Sequence, residues 1–314
     1  MIIKYEIEQF IEEIEKKLYE QILAPIESGL TPGNTIIFSP DSQLHFLPLG
    51  MLRDDDGVPF GKKFLVRYVT TGRDLVKTIE KSSGNKSAFL VGNPSYRNNA
   101  PLIAAAKAKE EREARLVASN LRAGMSRDAE RILLSPLPGT AREIERLSRR
   151  LKKAGFDAVS VSRDRATEAH VRNWVEGHDI VHLATHGFFL EKIEIKRNPH
   201  DARVAEIEEE KVSNTIQDPM YRSGLALAGA QSTFNLWGNG QVPPPSNDGI
   251  LLAAEANLLN LRGTDLVVLS ACETASGKAL DGEGVMGLRR AFIGAGANNT
   301  IMTLWPVNDE ATVE

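Results

Sequence analysis

The chain has 314 residues, 42% hydrophobic and 25% charged, a globular composition with room for one large domain or two modest ones. Its 38 Lys+Arg against 42 Asp+Glu leave a net charge of −4, so no global field draws it to nucleic acid or to an anionic membrane. One cysteine excludes an intrachain disulfide and fits a reducing, cytoplasmic setting.

The N-terminal stretch sets acidic residues inside its apolar pattern, unlike a secretory leader, and no stretch of about 18 uncharged apolar residues is present to span a membrane. Ile7, Phe10, Ile11, Ile14, Leu18 and Ile22 recur three or four apart, predicting an amphipathic helix that occupies residues 1–29 as its own segment. Pro32-Gly33 breaks it. Short strands follow at 35–40, 63–71 and 87–94, with a helix at 73–81. Residues 98–131 are charged and Ala-rich, and read as a surface helix. These pieces, 30–135, are expected to form a supporting half.

From 136 to 314 the rhythm changes to strand and helix in alternation, the pattern of βαβ units and a mostly parallel sheet. A helix is predicted over 137–155, with Thr140 as N-cap, Glu143 completing a capping box and Gly155 as the stop. Strands are predicted at 157–162, 179–186, 222–230, 265–271 and 299–307, and helices at 166–177, 249–260 and 284–294. The highly charged 190–222 interrupts the rhythm and reads as a long insertion, with Lys192, Lys196, Arg197 and Lys211 as candidate cleavage points. No internal repeat of 20–50 residues is present.

Two strings carry the chemistry. VHLATHGFF (181–189) ends an apolar run on His186-Gly187, and LVVLSACETASG (266–277) ends one on Cys272. Strand ends in an open α/β sheet are where functional groups gather. A thiol with a histidine as proton carrier can attack a carbonyl, given backbone donors for the oxyanion; the amides of Gly187 and Cys272 are the candidates. Each residue alone reads as an inert core group; the shared context of strand end and small neighbour favours the dyad. Glu273, Asp281 and Glu283 follow the cysteine, either capping the next helix or lining an S1 pocket for a basic side chain.

Other patterns are weaker. His178, His182 and His186 are spaced by four, which would stack zinc ligands on a helix, but the segment is β-branched and spreads them along a strand. Gly282-Glu283-Gly284-Val285-Met286-Gly287 matches GxGxxG, yet it lies some ten residues past the strand and carries acids that would repel a pyrophosphate. No cofactor and no metal is called for.

Taken together, ATHGFF, RSGLALAGA, DGILLAAEANLLNLRGTDLVVLSACETASG, GEGVMGLRRAFIGAGA and TLWPVNDEAT resemble the CHAT family, caspase-like cysteine peptidases associated with tetratricopeptide repeats. The LHFLPLGML, VGNP and LPGTAREIERL segments agree, so the resemblance covers roughly residues 20–314. It implies a caspase-like three-layer α/β sandwich with a mostly parallel central sheet, a pseudo-caspase half over 30–135 and an active half over 136–314. It puts the family's dyad on His186 and Cys272 and its oxyanion donors on Gly187 and Cys272. It also implies a protein substrate, a repeat-bearing or other regulatory protein partner, and a catalytic half that stops short at Glu314. Rival readings are a catalytically silent interaction module and a cysteine acyltransferase or amidohydrolase.

Overall fold

The computed structural model describes residues 2–40, 44, 47–69, 71–76, 84–97, 132–190, 218–239, 247–273 and 283–303. The expected surface helix at 98–131, the candidate cleavage points between 191 and 217, and the end of the 299–307 strand lie outside the described residues. The chain divides into two compact units, Met1–Thr78 and Ile79–Glu314.

In the first unit α1 (Ile2–Leu18) runs through a π-helical turn at Tyr19–Leu23 into a helical turn at Ala24–Glu27. The apolar stripe of α1 stays exposed at Phe10, Ile11 and Ile14; burial begins at Tyr19 and Leu23, which join Leu49, Leu52, Phe60 and Phe64 in one core. Beside it β1 (Thr35–Phe38) and β2 (Leu65–Tyr68) pair in parallel. The predicted helix at 73–81 is a single 3-10 turn, Gly72–Leu75, in its described part.

The second unit holds β3 (Ser87–Pro94), α2 (Pro138–Lys153), β4 (Asp157–Arg163), α3 (Glu168–Trp174), β5 (Ile180–Phe189), β6 (Ser223–Ala226), α4 (Ala230–Gly238), β7 (Ile250–Leu252), β8 (Leu266–Glu273), α5 (Glu283–Gly294) and β9 (Asn299–Met302). Its described strands form one seven-stranded sheet. Five of them run parallel in the order β4-β3-β5-β8-β9; β6 pairs antiparallel with the carboxyl-terminal part of β5, and β7 pairs antiparallel with β6. The units therefore part near residue 78, not at 29 and 135. β3, expected in a supporting half, is a central strand of the large sheet, and no second caspase-like sheet appears among the described residues of the first unit.

Parallel strands need cover on both faces, which is why their sequences are nearly unbroken apolar runs. Side chains alternate along β5: Val181 and Leu183 join a core with Val171 of α3, Val267 and Leu269 of β8 and Phe292 of α5. Ala184 joins Leu90 and Ile144 on the α2 face. His182 and His186 fall on this second face by the same period of two.

Three local expectations change. Helix α2 starts at Pro138, whose missing N–H costs nothing at a helix start, so Thr140 is not its cap. The Thr140 hydroxyl instead donates to the Leu137 carbonyl (2.8 Å) and accepts from the Asn93 amide (2.8 Å), tying α2 to the end of β3. The strand expected at 222–230 stops at Ala226, because Gly229 at φ 96° turns the chain into α4. The helix expected at 249–260 is the strand β7 followed by one helical turn, Ala253–Ala256. No helix among the described residues is long and apolar enough to cross a membrane.

Candidate active site

Strands β5 and β8 pair without a break from Ile180↔Leu266 to Gly187↔Glu273. Within that register His186 is the direct partner of Cys272. Neighbouring strands lie about 4.8 Å apart, so the two backbones are adjacent at the carboxyl end of the sheet, 86 residues apart in sequence (272 − 186).

His186 is buried, and its Nε2 lies 2.8 Å from the Ser135 carbonyl oxygen. A carbonyl only accepts, so Nε2 carries the proton and Nδ1 is the basic nitrogen of the ring. The Tyr96 ring packs 5.1 Å from the imidazole at 48°. The Tyr96 hydroxyl and Thr185 Oγ1 are 2.9 Å apart, and the Thr185 hydroxyl donates to the Ala226 carbonyl; the Tyr96 hydroxyl is therefore the donor between the two. Tyrosine, threonine and β6 thus fix the strand on either side of the histidine.

The ladder also determines where the backbone amides go. Leu266 N–H donates to the Asp179 carbonyl at 3.1 Å. In a parallel ladder that pattern repeats every second residue, so with the unbroken register Cys272 N–H donates to the Thr185 carbonyl and Gly187 N–H to the Cys272 carbonyl. Both amides expected to face an oxyanion are inter-strand donors in this arrangement. The reason is length: β5 continues to Phe189, past the expected end at His186, and β8 follows it to Glu273.

Glu273 closes β8 and Glu283 opens α5; Asp281 lies outside the described residues. The three spaced histidines do not converge. His178 stacks on Phe89 at 5.6 Å, and His182 Nε2 lies 2.9 Å from Glu143 Oε1 without the alignment of a hydrogen bond. Ser270 donates to Glu143 Oε2 at 3.2 Å, so Glu143, read from sequence as a capping residue, links β5 to β8 beneath the dyad. Sequence reasoning missed this bridge, Tyr96 and Ser135. A strand-period reading of His182 and His186 would have put them on one face; the Ser135 carbonyl leaves no trace in residue identity.

The chain is similar to "Tetratricopeptide repeat protein 28" of Mus musculus, 24% identical in an alignment 301 residues long that covers 93% of this chain and 11% of that protein, so it spans about 11% of that relative's length. A family model for the CHAT domain matches residues 12–314. A mostly parallel sheet, with α2 on one face and α3 and α5 on the other, is the caspase-like α/β sandwich of that family. The chain belongs to the CHAT-domain family.

Proposed function

We propose that the chain is a cysteine endopeptidase that cleaves a protein substrate through a thioester, with His186 and Cys272 as its dyad. One observation carries the reading: the register of β5 and β8 pairs these two residues in a chain of the CHAT family. His186 Nδ1 takes the thiol proton, the thiolate attacks the scissile carbonyl carbon, and the C–N bond breaks as the imidazolium protonates the leaving amine. Water, deprotonated by the same nitrogen, then hydrolyses the thioester and the proton returns to sulfur. The Ser135 carbonyl supports this by holding the Nε2–H tautomer. Gly187 and Cys272 serve as oxyanion donors once the last ladder bonds of β5 and β8 part. A basic P1 residue follows from the acids Glu273, Asp281 and Glu283 near the nucleophile. Restraint comes from a protein partner or from the charged 190–222 segment.

The test is cleavage of an unbiased peptide library, read by mass spectrometry, for the wild type, Cys272→Ala and His186→Ala. Cuts made by the wild type and lost by at least about a hundredfold in both variants are expected, since general-base catalysis alone contributes that much. Cuts that persist in Cys272→Ala end the proposal, and transfer to a non-water acceptor would replace hydrolysis by acyl transfer.

A further inference from the structure

The Ser135 carbonyl that faces His186 belongs to an extended stretch, residues 132–135, whose Ile132 and Leu134 side chains are buried while Leu133 is exposed. An extended stretch outside a sheet has backbone groups to satisfy, and here a side chain does it. Gln231 Oε1 accepts from the Leu134 amide at 2.7 Å, and its Nε2 donates to the Ile132 carbonyl at 3.0 Å. The carboxamide thus bonds the stretch as a neighbouring peptide unit would. The same Nε2 donates to Asn235 Oδ1 at 3.0 Å, which fixes the amide's orientation from within α4. Gln231 also has its own backbone amide on the Tyr96 carbonyl at 3.0 Å, and Tyr96 is the residue whose ring packs on His186. One buried glutamine therefore holds both groups that bracket the imidazole: the carbonyl at its Nε2 and the ring against its face.

We propose that Gln231 is a positioning residue of the His186–Cys272 dyad, acting through the Ser135 carbonyl and Tyr96. The inference rests on the dyad reading above. Its effect is on the tautomer and placement of the imidazole, hence on how much Cys272 is thiolate near neutral pH.

Because Cys272 is the one cysteine, its alkylation by iodoacetamide can be followed on the intact protein by mass, with no substrate needed. The rate is measured from pH 5 to 10 for the wild type, His186→Ala, Gln231→Met and the double variant. Methionine keeps the volume and removes both carboxamide bonds. Gln231→Met is expected to move the midpoint of the profile upward, toward that of His186→Ala, slowing alkylation at pH 6 by roughly three- to tenfold, about half to one pKa unit. In the His186→Ala background the same substitution should change nothing, because the residue acts through the ring; a merely structural role would act equally in both. A folded Gln231→Met that superposes on the wild type overturns the inference while leaving the dyad intact. Equal effects in both backgrounds overturn it too. Coincident wild-type and His186→Ala profiles remove the dyad reading, and this inference with it. Should Gln231→Met fail to fold, Gln231→Glu, which keeps the Leu134 acceptor and loses the Ile132 donor, carries the same four-way comparison.

Discussion

Glu168 is fully buried at the start of α3, with Arg172 2.5 Å away, and Glu255 reaches the same guanidinium at 2.8 Å. Burial, with the charge of Glu255 next, pushes the Glu168 carboxyl up to about 7, against the pull of Arg172. Asp248, whose amide donates to Glu168, is raised in the same direction and chiefly by burial. A raised pKa means that the folded state binds the proton more tightly than the unfolded one. The stabilisation is thus fully present below about 4.5 and is lost as pH rises through about 7. Glu168→Gln should flatten that loss, gaining on the order of 2 kcal/mol on the wild type between pH 5 and pH 8 in urea unfolding. An unchanged slope would put the proton elsewhere in the cluster. The neighbouring Thr167 caps α3, its side chain accepting from the His170 amide. The burial of Glu168 depends on Asp248 and Glu255, some 80 residues on, and no local pattern announces that. His186 and Cys272 were legible because each follows an apolar run that only a buried strand explains. Gln231 and Ser135 were not, because one sits in a segment read as strand and the other acts through its backbone.

At the scale of elements, the approach of α2 to β3 sets the stretch that meets His186. Gly92 permits it: a Cβ there would lie 2.7 Å from the Thr140 carbonyl and 3.0 Å from the Ile144 side chain. Gly92→Ala should force the start of α2 outward, costing about 1–3 kcal/mol and lowering the alkylation rate of Cys272 at pH 6. Lost stability with an unchanged thiol profile would show that the stretch is held independently of the helix. The capping-box reading of Thr140 and Glu143 fails for an instructive reason. Both side chains have the reach to cap a helix or to bond a strand beneath it, and the sheet supplies Asn93 and Ser270 as partners. β7 and the turn after it were read as one helix because three apolar residues carry no period of their own.

At the scale of the molecule, each unit has its own core, and the pairings of the large sheet fall wholly within residues 79–314. Expressed alone, 79–314 should unfold cooperatively, with a Tm within about 5 °C of the whole chain, and keep its thiol profile. A broad transition would mean that the first unit completes the second. The boundary near residue 78 was hidden in sequence, since β3 looks like the strands before it and only its partners β4 and β5 place it in the larger unit. The long pairing of β5 with β8 has a kinetic corollary. Under the proposed mechanism cohesion and turnover would draw on the same two N–H groups, so a peptide entering the site would compete with the protein's own sheet. Each bond surrendered is worth about 1 kcal/mol, so the two would hold most molecules in the paired form and a modest pull on the strand tips would release them. Hydrogen exchange at Gly187 and Cys272 then becomes a clock for readiness: whatever partner or solvent condition quickens it should quicken the proposed cleavage in proportion.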